Sequence, residues 1–267
     1  MRQELNTISK AVNLFAPISL EEMTGVKLMN RTDTKYVISL SQLNALLVYA
    51  AKHYRVQETL GERLIEYNTT YYDTPDWQML RAHTTGRALR QKIRVRTYVS
   101  SNLTFIEIKN KKHGRTKKKR IATTAIPSGD LGVEAQAFVA LHSHYPVSSL
   151  KPAVANTFRR ITLVNNEMTE RLTIDLDLTL SNLRSGSQVR LADTVVVEVK
   201  RDGRSHSPII DWLSARNIRH CGFSKYCYGA LLTDSSLPLG KMKPKMRHLI
   251  RLGLIPEPVS SWRHWAA

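Results

Sequence analysis

The chain has 267 residues, enough to bury a sizeable core, and 42% hydrophobic with 23% charged residues is typical of a globular protein. Forty Lys and Arg against 22 Asp and Glu leave a net charge of +18, which restricts the expected partner to an anion: nucleic acid, an anionic membrane surface, a nucleotide or polyphosphate. We predict a cytoplasmic protein, soluble or peripheral at the inner face of a membrane. The two cysteines lack metal-binding spacing, and the sequence shows neither an apolar stretch of roughly 20 residues nor a signal-peptide pattern.

The predicted elements begin with an N-terminal lead-in over residues 1–30, interrupted by Pro17. A strand is predicted over 31–39, followed by a helix over 42–53 with Ser41 as its N-cap. The next strand ends at the turn residues of YYDTP (71–75), before a short helix that contains Trp77. Further helices are predicted over 131–144 and 207–217, and residues 235–267 read as a C-terminal extension.

Four later strands alternate charged and apolar residues. Successive side chains of a strand point to opposite faces, so each strand has one charged face and one apolar face. The polar members of the four faces are Arg90, Lys92, Arg94 and Arg96, then Glu107 and Lys109, then Arg171, Thr173, Asp175 and Asp177, and last Glu198 and Lys200.

The repeated alternation indicates how these strands are arranged. A solvent-exposed polar face is the ordinary alternative for any single strand. A flat open face with this charge would repel itself, whereas a barrel would enclose the charged faces and leave the apolar faces for helices to cover. We therefore predict an α+β fold in which an antiparallel barrel has a charged interior and helices outside, as one domain over residues 31–234. Such an interior requires a multiply charged anion.

The charged faces suggest roles for individual residues. Arg94 and Arg96 lie two apart on one strand, so their guanidinium groups are suited to bidentate contact with phosphate oxygens. Glu198 and Glu107, with Asp175 behind them, are candidate ligands for Mg²⁺ or Mn²⁺, which prefer oxygen donors. An ion pair with a neighbouring Arg or Lys is the alternative for each carboxylate.

A basic run occupies residues 109–120, where eight of twelve residues are Lys or Arg and Gly114 suggests a hairpin turn. A solvated loop is one interpretation of this run. Nucleic-acid binding is another, although neither an RNP-like aromatic pattern nor a helix-turn-helix is visible. We favour a third, a cavity mouth that attracts a polyanion, and expect no specific nucleic acid as partner.

Several motifs occur in an order that resembles a known family. They are NRTDTKY (30–36), YYDTPDWQMLRAHTTGRALRQKIRVRTY (71–98), FIEIKNK (105–111), TKKKR (116–120), VVVEVK (195–200) and FSKY (223–226). Over residues 31–232 the chain resembles the VTC domain of polyphosphate polymerases, within the CYTH-like triphosphate tunnel metalloenzymes. The resemblance implies an antiparallel barrel tunnel of about eight strands, Mn²⁺ or Mg²⁺ as cofactor, and transfer of the ATP γ-phosphate to a polyphosphate chain.

The resemblance also implies site residues. Phosphate-binding positions match Lys35, Arg94, Arg96, Lys109, Lys118, Arg160 and Lys225, and the metal-binding glutamate matches Glu198. Arg94, Arg96, Lys109 and Glu198 are expected to be catalytic, with Glu107 as a second candidate metal ligand. Two departures stand out: Phe158 replaces the family tyrosine, and Asn30 and Asp33 stand where related enzymes often have glutamates.

These features predict a polyphosphate polymerase that uses ATP and polyphosphate, with a membrane-embedded partner protein as a further expectation from the resemblance. A triphosphatase with the same fold is the first alternative, because water as acceptor needs the same phosphate-binding residues. A non-catalytic polyphosphate or nucleotide sensor is the second, because Phe158 and the reduced number of glutamates leave it open. A generic RNA-binding protein is the last.

Overall fold

The structure is a computed structural model, and it describes residues 2–26, 31–113, 115–124, 129, 131–203 and 205–257. The helices in these residues are α1 (Arg2–Val12), α2 (Leu40–Ala50), α3 (Gln78–Thr84), α4 (Val133–His142), α5 (Pro208–Ala215), α6 (Lys225–Thr233) and α7 (Lys243–Arg251). The strands are β1 (Pro17–Ile18), β2 (Arg31–Ile38), β3 (Tyr54–Gln57), β4 (Ile65–Asp73), β5 (Arg90–Tyr98), β6 (Leu103–Lys112), β7 (Arg115–Ala122), β8 (Lys151–Asn165), β9 (Glu170–Asn182), β10 (Gln188–Leu191) and β11 (Val195–Asp202).

The chain forms two compact units, and the long strands β8 and β9 contribute residues to both. The first unit contains Met1–Glu66, Phe158–Leu178 and Leu191–Phe223. Its strands follow the order β2-β11-β9-β8-β3, and β1 pairs in parallel with β3. One face of these strands is apolar and packs against α2 and α5; its core includes Leu46, Leu172, Val197 and Trp212.

The second unit contains Tyr67–Thr157, Thr179–Arg190 and Ser224–Ala267. Its strands follow the order β9-β8-β4-β5-β6-β7, and β10 pairs with β9. The apolar face of β5 and β6 packs against α4, so that Ile93 and Ile108 lie in one buried cluster with Phe138 and Val139. In each unit the face of the strands opposite to the apolar face carries the charged side chains.

The predicted fold class is confirmed: helices cover the apolar faces of an antiparallel sheet whose main path runs through eight strands, β2-β11-β9-β8-β4-β5-β6-β7. The helices predicted over 131–144 and 207–217 correspond to α4 and α5. The assignment of residues 31–234 to a single domain stays a prediction. Within the described residues, no helix combines the length and apolar character that crossing a membrane requires.

Three local predictions need correction or comment. The cap of α2 is Ser39, not Ser41, because the Ser39 hydroxyl accepts from the Gln42 amide while the Gln42 side chain accepts from the Ser39 amide. The basic run is not a loop throughout, since Arg115–Ala122 forms β7 at the end of the strand path. The turn predicted at Gly114 lies outside the described residues.

Candidate functional site

The charged face of the second unit is assembled by strand register. Arg94 on β5 is directly opposite Tyr71 on β4 and Glu107 on β6, and Arg96 is opposite Thr69. Directly opposite residues of antiparallel strands point to the same face, which brings these polar side chains into contact. The same register places Lys109 opposite both Lys92 and Lys118.

Glu107 is the centre of this second-unit cluster, and its side chain is only 1% exposed. The Nε atom of Arg94 lies 2.6 Å from Oε2 of Glu107, and the Nη2 atom of Arg94 pairs with the same oxygen. The other carboxylate oxygen, Oε1, accepts from Lys118 Nζ at 3.0 Å. Both oxygens of Glu107 are therefore held by cations.

The charge state of Glu107 follows from these neighbours. Burial alone would raise the pKa of its carboxyl, but Arg94, Arg96 and Lys118 outweigh burial and lower that pKa below its usual range. The carboxylate is thus ionised at neutral pH. This geometry corresponds to the ion-pair alternative, and a metal role for Glu107 stays a prediction that requires its cationic partners to move away.

The remaining predicted residues of the second unit have different surroundings. Arg96 is 6% exposed, donates from Nε to the Thr69 hydroxyl at 3.0 Å, and lies with Cζ 5.4 Å from the centroid of the Tyr67 ring. Lys225 is the first residue of α6, whose N-cap Ser224 also accepts a hydrogen bond from Lys92 at 2.8 Å. The second unit brings Arg94, Arg96 and Lys118 together around Glu107.

Glu198 is the centre of the charged face in the first unit. It lies on β11 opposite Lys35 of β2 and Thr173 of β9. Lys35 Nζ donates to Oε1 of Glu198, and Lys200 Nζ lies 3.3 Å from Oε2. Burial would raise the pKa of Glu198, but Lys200 and Lys35 hold that pKa well below its usual range.

A second ion pair in the first unit involves the arginine matched to the family. Arg160 donates from Nε to Asp175 Oδ1 at 2.6 Å and from Nη2 to Oδ2 at 2.8 Å, a bidentate contact. Its Cζ lies 5.3 Å from the ring centroid of Phe158, which is 1% exposed. The residue that replaces the family tyrosine therefore packs against Arg160 and offers no hydroxyl there.

The donor set limits how a metal could bind. Among the described residues, no group of three or more His, Cys, Asp or Glu side chains is arranged to hold a metal ion. Mg²⁺ is commonly bound by one or two carboxylates together with phosphate oxygens and water. Glu198 fits this role, because its side chain is 18% exposed and its partners are lysines with flexible stems. Glu107 fits less well, because it is buried and both its oxygens are occupied.

Sequence reasoning missed two residues of these charged faces. Lys200 was recognised as a neighbour of Glu198 on one face, but it was not assigned to the site that it shares with that carboxylate. Tyr71 was placed at the end of a strand and given no role in the site, yet its hydroxyl accepts from Arg94 Nη1 at 3.3 Å. The available signal was that Tyr71 lies on a strand next to apolar Tyr72, so that one of the two rings must face the polar side.

A family model described as the VTC domain matches residues 30–233. No curated protein matches the sequence at a significant level. Similar solved structures include a proposed adenylyl cyclase from Hippeastrum that is described as having a dominant triphosphatase activity. Its sequence is 15% identical and the TM-score is 0.48, and the match covers 79% of this chain and 99% of that chain. A proposed adenylate cyclase from Bacillus halodurans has 14% identity and a TM-score of 0.45, covering 73% of this chain and 96% of that chain.

Because both TM-scores are below 0.5, these structures support no conclusion about this protein. The family model does support a conclusion, because its match covers most of the 267 residues. Its range includes the two charged clusters around Glu107 and Glu198 and the helix that begins at Lys225. The chain belongs to the VTC domain family.

Proposed function

We propose that this protein is a metal-dependent polyphosphate polymerase that transfers the γ-phosphate of ATP to a polyphosphate chain inside a basic tunnel. The observation that carries the proposal is the pair Arg94 and Arg96, 8% and 6% exposed, on a charged face of a VTC-family chain. Two largely buried guanidinium groups on one face of β5, one of them paired with Glu107, form a positively charged surface that is suited to an anion. Phosphate oxygens suit the paired guanidinium geometry.

Phosphoryl transfer requires the protein mainly to position the reacting groups and to neutralise charge on the phosphate oxygens. The residues that would bind phosphate oxygens are Arg94, Arg96, Lys35 and Arg160. Lys109, Lys118 and Lys225 would contribute further positive charge. Bound at Glu198, Mn²⁺ or Mg²⁺ would polarise the phosphates and offset the charge on the departing diphosphate.

The acceptor in this reaction is a terminal phosphate, which is already anionic, so no general base is needed. His83 of the second unit is a half-buried histidine near the charged face of that unit. His83 Nε2 lies 3.0 Å from the Gln91 carbonyl oxygen, and burial together with Lys92 lowers the pKa of His83 to about 2. An imidazole with so low a pKa is a weak base, so His83 is poorly suited to act as a general base.

The basic run supports a path for the polyphosphate chain. Lys112 lies opposite Arg115, and Lys109 lies opposite Lys118, on the paired strands β6 and β7. Like charges directly opposite one another are destabilising, and a polyanion bound between them would relieve that repulsion. All six residues from Arg115 to Arg120 are exposed, which makes this strand accessible to a chain of phosphates.

The test is to incubate purified protein with ATP and Mn²⁺, resolve the products on a polyacrylamide gel stained for polyphosphate, and assay orthophosphate in parallel. We expect a polymer ladder that Glu198→Gln abolishes and that the control Glu134→Gln, on the exposed surface of α4, leaves unchanged. Orthophosphate without a ladder would instead support the triphosphatase. Neither product, with ATP still bound, would support a sensor or an enzyme that requires a membrane-embedded partner.

A further inference from the structure

Tyr71, on the charged face of β4, is one of the side chains that the family assignment leaves without a role. Its ring is 6% exposed and stacks on Tyr226, with ring centroids 5.1 Å apart. The next residue, Tyr72, points to the opposite face, where its ring joins the apolar cluster under α4 and its hydroxyl donates to the Gly129 carbonyl at 2.7 Å. We propose that the Tyr71 hydroxyl is a phosphate-binding group that donates its hydrogen to an oxygen of the triphosphate or polyphosphate substrate.

The hydrogen-bond inventory of this hydroxyl supports the proposal. A phenolic hydroxyl donates one hydrogen bond and accepts others. Arg94 Nη1 occupies an acceptor position at 3.3 Å. Within the described part of the chain, no hydrogen bond in which the Tyr71 hydroxyl acts as the donor is present. The other tyrosines of this network differ, since Tyr72 donates to Gly129 and Tyr226 donates to Asp73.

The nearby charges identify the missing acceptor as an anion. Burial would raise the pKa of Tyr71, but Arg94, Arg96 and Lys92 outweigh burial and lower it. Glu107, which shares Arg94 with Tyr71, already accepts from Arg94 and Lys118 through its two oxygens. A hydroxyl donor surrounded by three cations is suited to an anionic oxygen, and a phosphate group supplies several.

A purely structural role for the hydroxyl, that of orienting Arg94, is the competing explanation. Arg94 is also fixed by Glu107, through Nε at 2.6 Å and through Nη2. Two contacts to a buried carboxylate hold the guanidinium group when the weaker 3.3 Å contact to Tyr71 is removed. Loss of the Tyr71 hydroxyl should therefore affect the bound anion more than the position of Arg94.

The test compares Tyr71→Phe with Tyr72→Phe, two neighbouring buried tyrosines that lose a hydroxyl from opposite faces of one strand. Binding of tripolyphosphate to the full chain is measured by isothermal titration calorimetry, and thermal unfolding shows that each variant is folded. We expect tripolyphosphate to bind about tenfold more weakly to Tyr71→Phe, as for a hydrogen bond to a charged group, and with unchanged affinity to Tyr72→Phe. Unchanged affinity in Tyr71→Phe, or an equal loss in both variants, would overturn the proposal.

This inference rests on the proposed function only for the identity of the anion, and the two can fail separately. Wild-type protein that binds tripolyphosphate but releases orthophosphate from ATP without forming polymer would refute the polymerase while the role of Tyr71 stands. Polymer formation with equal tripolyphosphate affinity in wild type and Tyr71→Phe would refute the role of Tyr71 alone. Absence of tripolyphosphate binding in the wild type would refute the role of Tyr71 and, if no ladder forms either, the polymerase as well.

Discussion

The clusters around Glu107 and Glu198 each consist of one glutamate and two cationic side chains, and they differ in burial and in the type of cation. Each has one glutamate whose two oxygens contact cations, Arg94 and Lys118 in one case and Lys35 and Lys200 in the other. The Glu107 side chain is 1% exposed, and its main partner is a guanidinium group bound through two nitrogens. The Glu198 side chain is 18% exposed, and both its partners are ammonium groups.

This difference indicates different functions for two similar glutamates. A guanidinium group that donates through two nitrogens to one buried oxygen is held in a fixed orientation, whereas a lysine ammonium on a four-carbon stem can move to another oxygen at small cost. Glu107 is thus suited to keep Arg94 in place for a phosphate. Glu198 is suited to release its lysines to the substrate and to offer its own oxygens to a cation.

The largest expected effect is on stability, from Glu107→Gln. This change leaves the Arg94 guanidinium buried beside a neutral amide, and we expect the free energy of unfolding to fall by about 3 kcal/mol. Urea denaturation of wild type and variant measures the change. Glu198→Gln is the matched substitution, and we expect it to cost less than about 1 kcal/mol because Lys35 and Lys200 retain access to water. Equal losses in the two variants would contradict the distinction between the clusters.

The second effect is on catalysis, where we expect Glu198→Gln to cause a greater loss than Glu107→Gln. We expect Glu198→Gln to lower the initial rate of polymer formation about 100-fold, because charge on the phosphates would no longer be offset at that site. Glu107→Gln, assayed at a temperature where it is folded, should lose less than this, since Arg94 and Arg96 remain cationic. Rates are measured at saturating Mn²⁺ and ATP. A greater loss in Glu107→Gln than in Glu198→Gln would reverse the assignment of roles.

The smallest effect is a pH dependence of the stability difference between wild type and Glu107→Gln. The pKa of Glu107 is lowered in the folded state, so its carboxylate stabilises the protein above the unfolded pKa of about 4.5. That contribution decreases as the pH falls from 4.5 towards the lower pKa of the folded state. The difference in unfolding free energy should therefore be constant from pH 6 to 8 and narrow below about pH 4.5. A difference that grows on acidification would contradict the sign of the shift.

Much of the fold could be predicted because alternation is a local property of a strand. Arg94 and Arg96 were assigned to one face and Ile93 and Val95 to the other, and the structure buries these apolar residues completely. The cap of α2 was misassigned by two residues because two serines, Ser39 and Ser41, precede the apolar positions of the helix. The reciprocal bonds of Ser39 with Gln42 match the capping-box pattern S-x-x-Q, which Ser41 lacks because Asn44 stands three residues after it, so the sequence did contain this signal.

The site was harder to predict because partners across strands depend on register. Glu107 faces Arg94 because the β5–β6 hairpin aligns Ile93 with Ile108 and Val95 with Ile106, and the sequence of either strand alone does not reveal that alignment. The same limitation applies to Lys200 and Tyr71. Each lies on a face that alternation identifies, but its contact with Glu198 or Arg94 follows from the pairing of neighbouring strands.

The alternation of Ile93, Arg94 and Val95 also restricts how this chain can change length during evolution. One residue inserted within β5 before Arg94 would turn a guanidinium group into the apolar cluster under α4 and turn an aliphatic side chain to the charged face. Insertions and deletions in relatives should therefore be confined to the connections between strands, such as residues 99–102. Strand interiors should vary by substitution, even where overall identity is low.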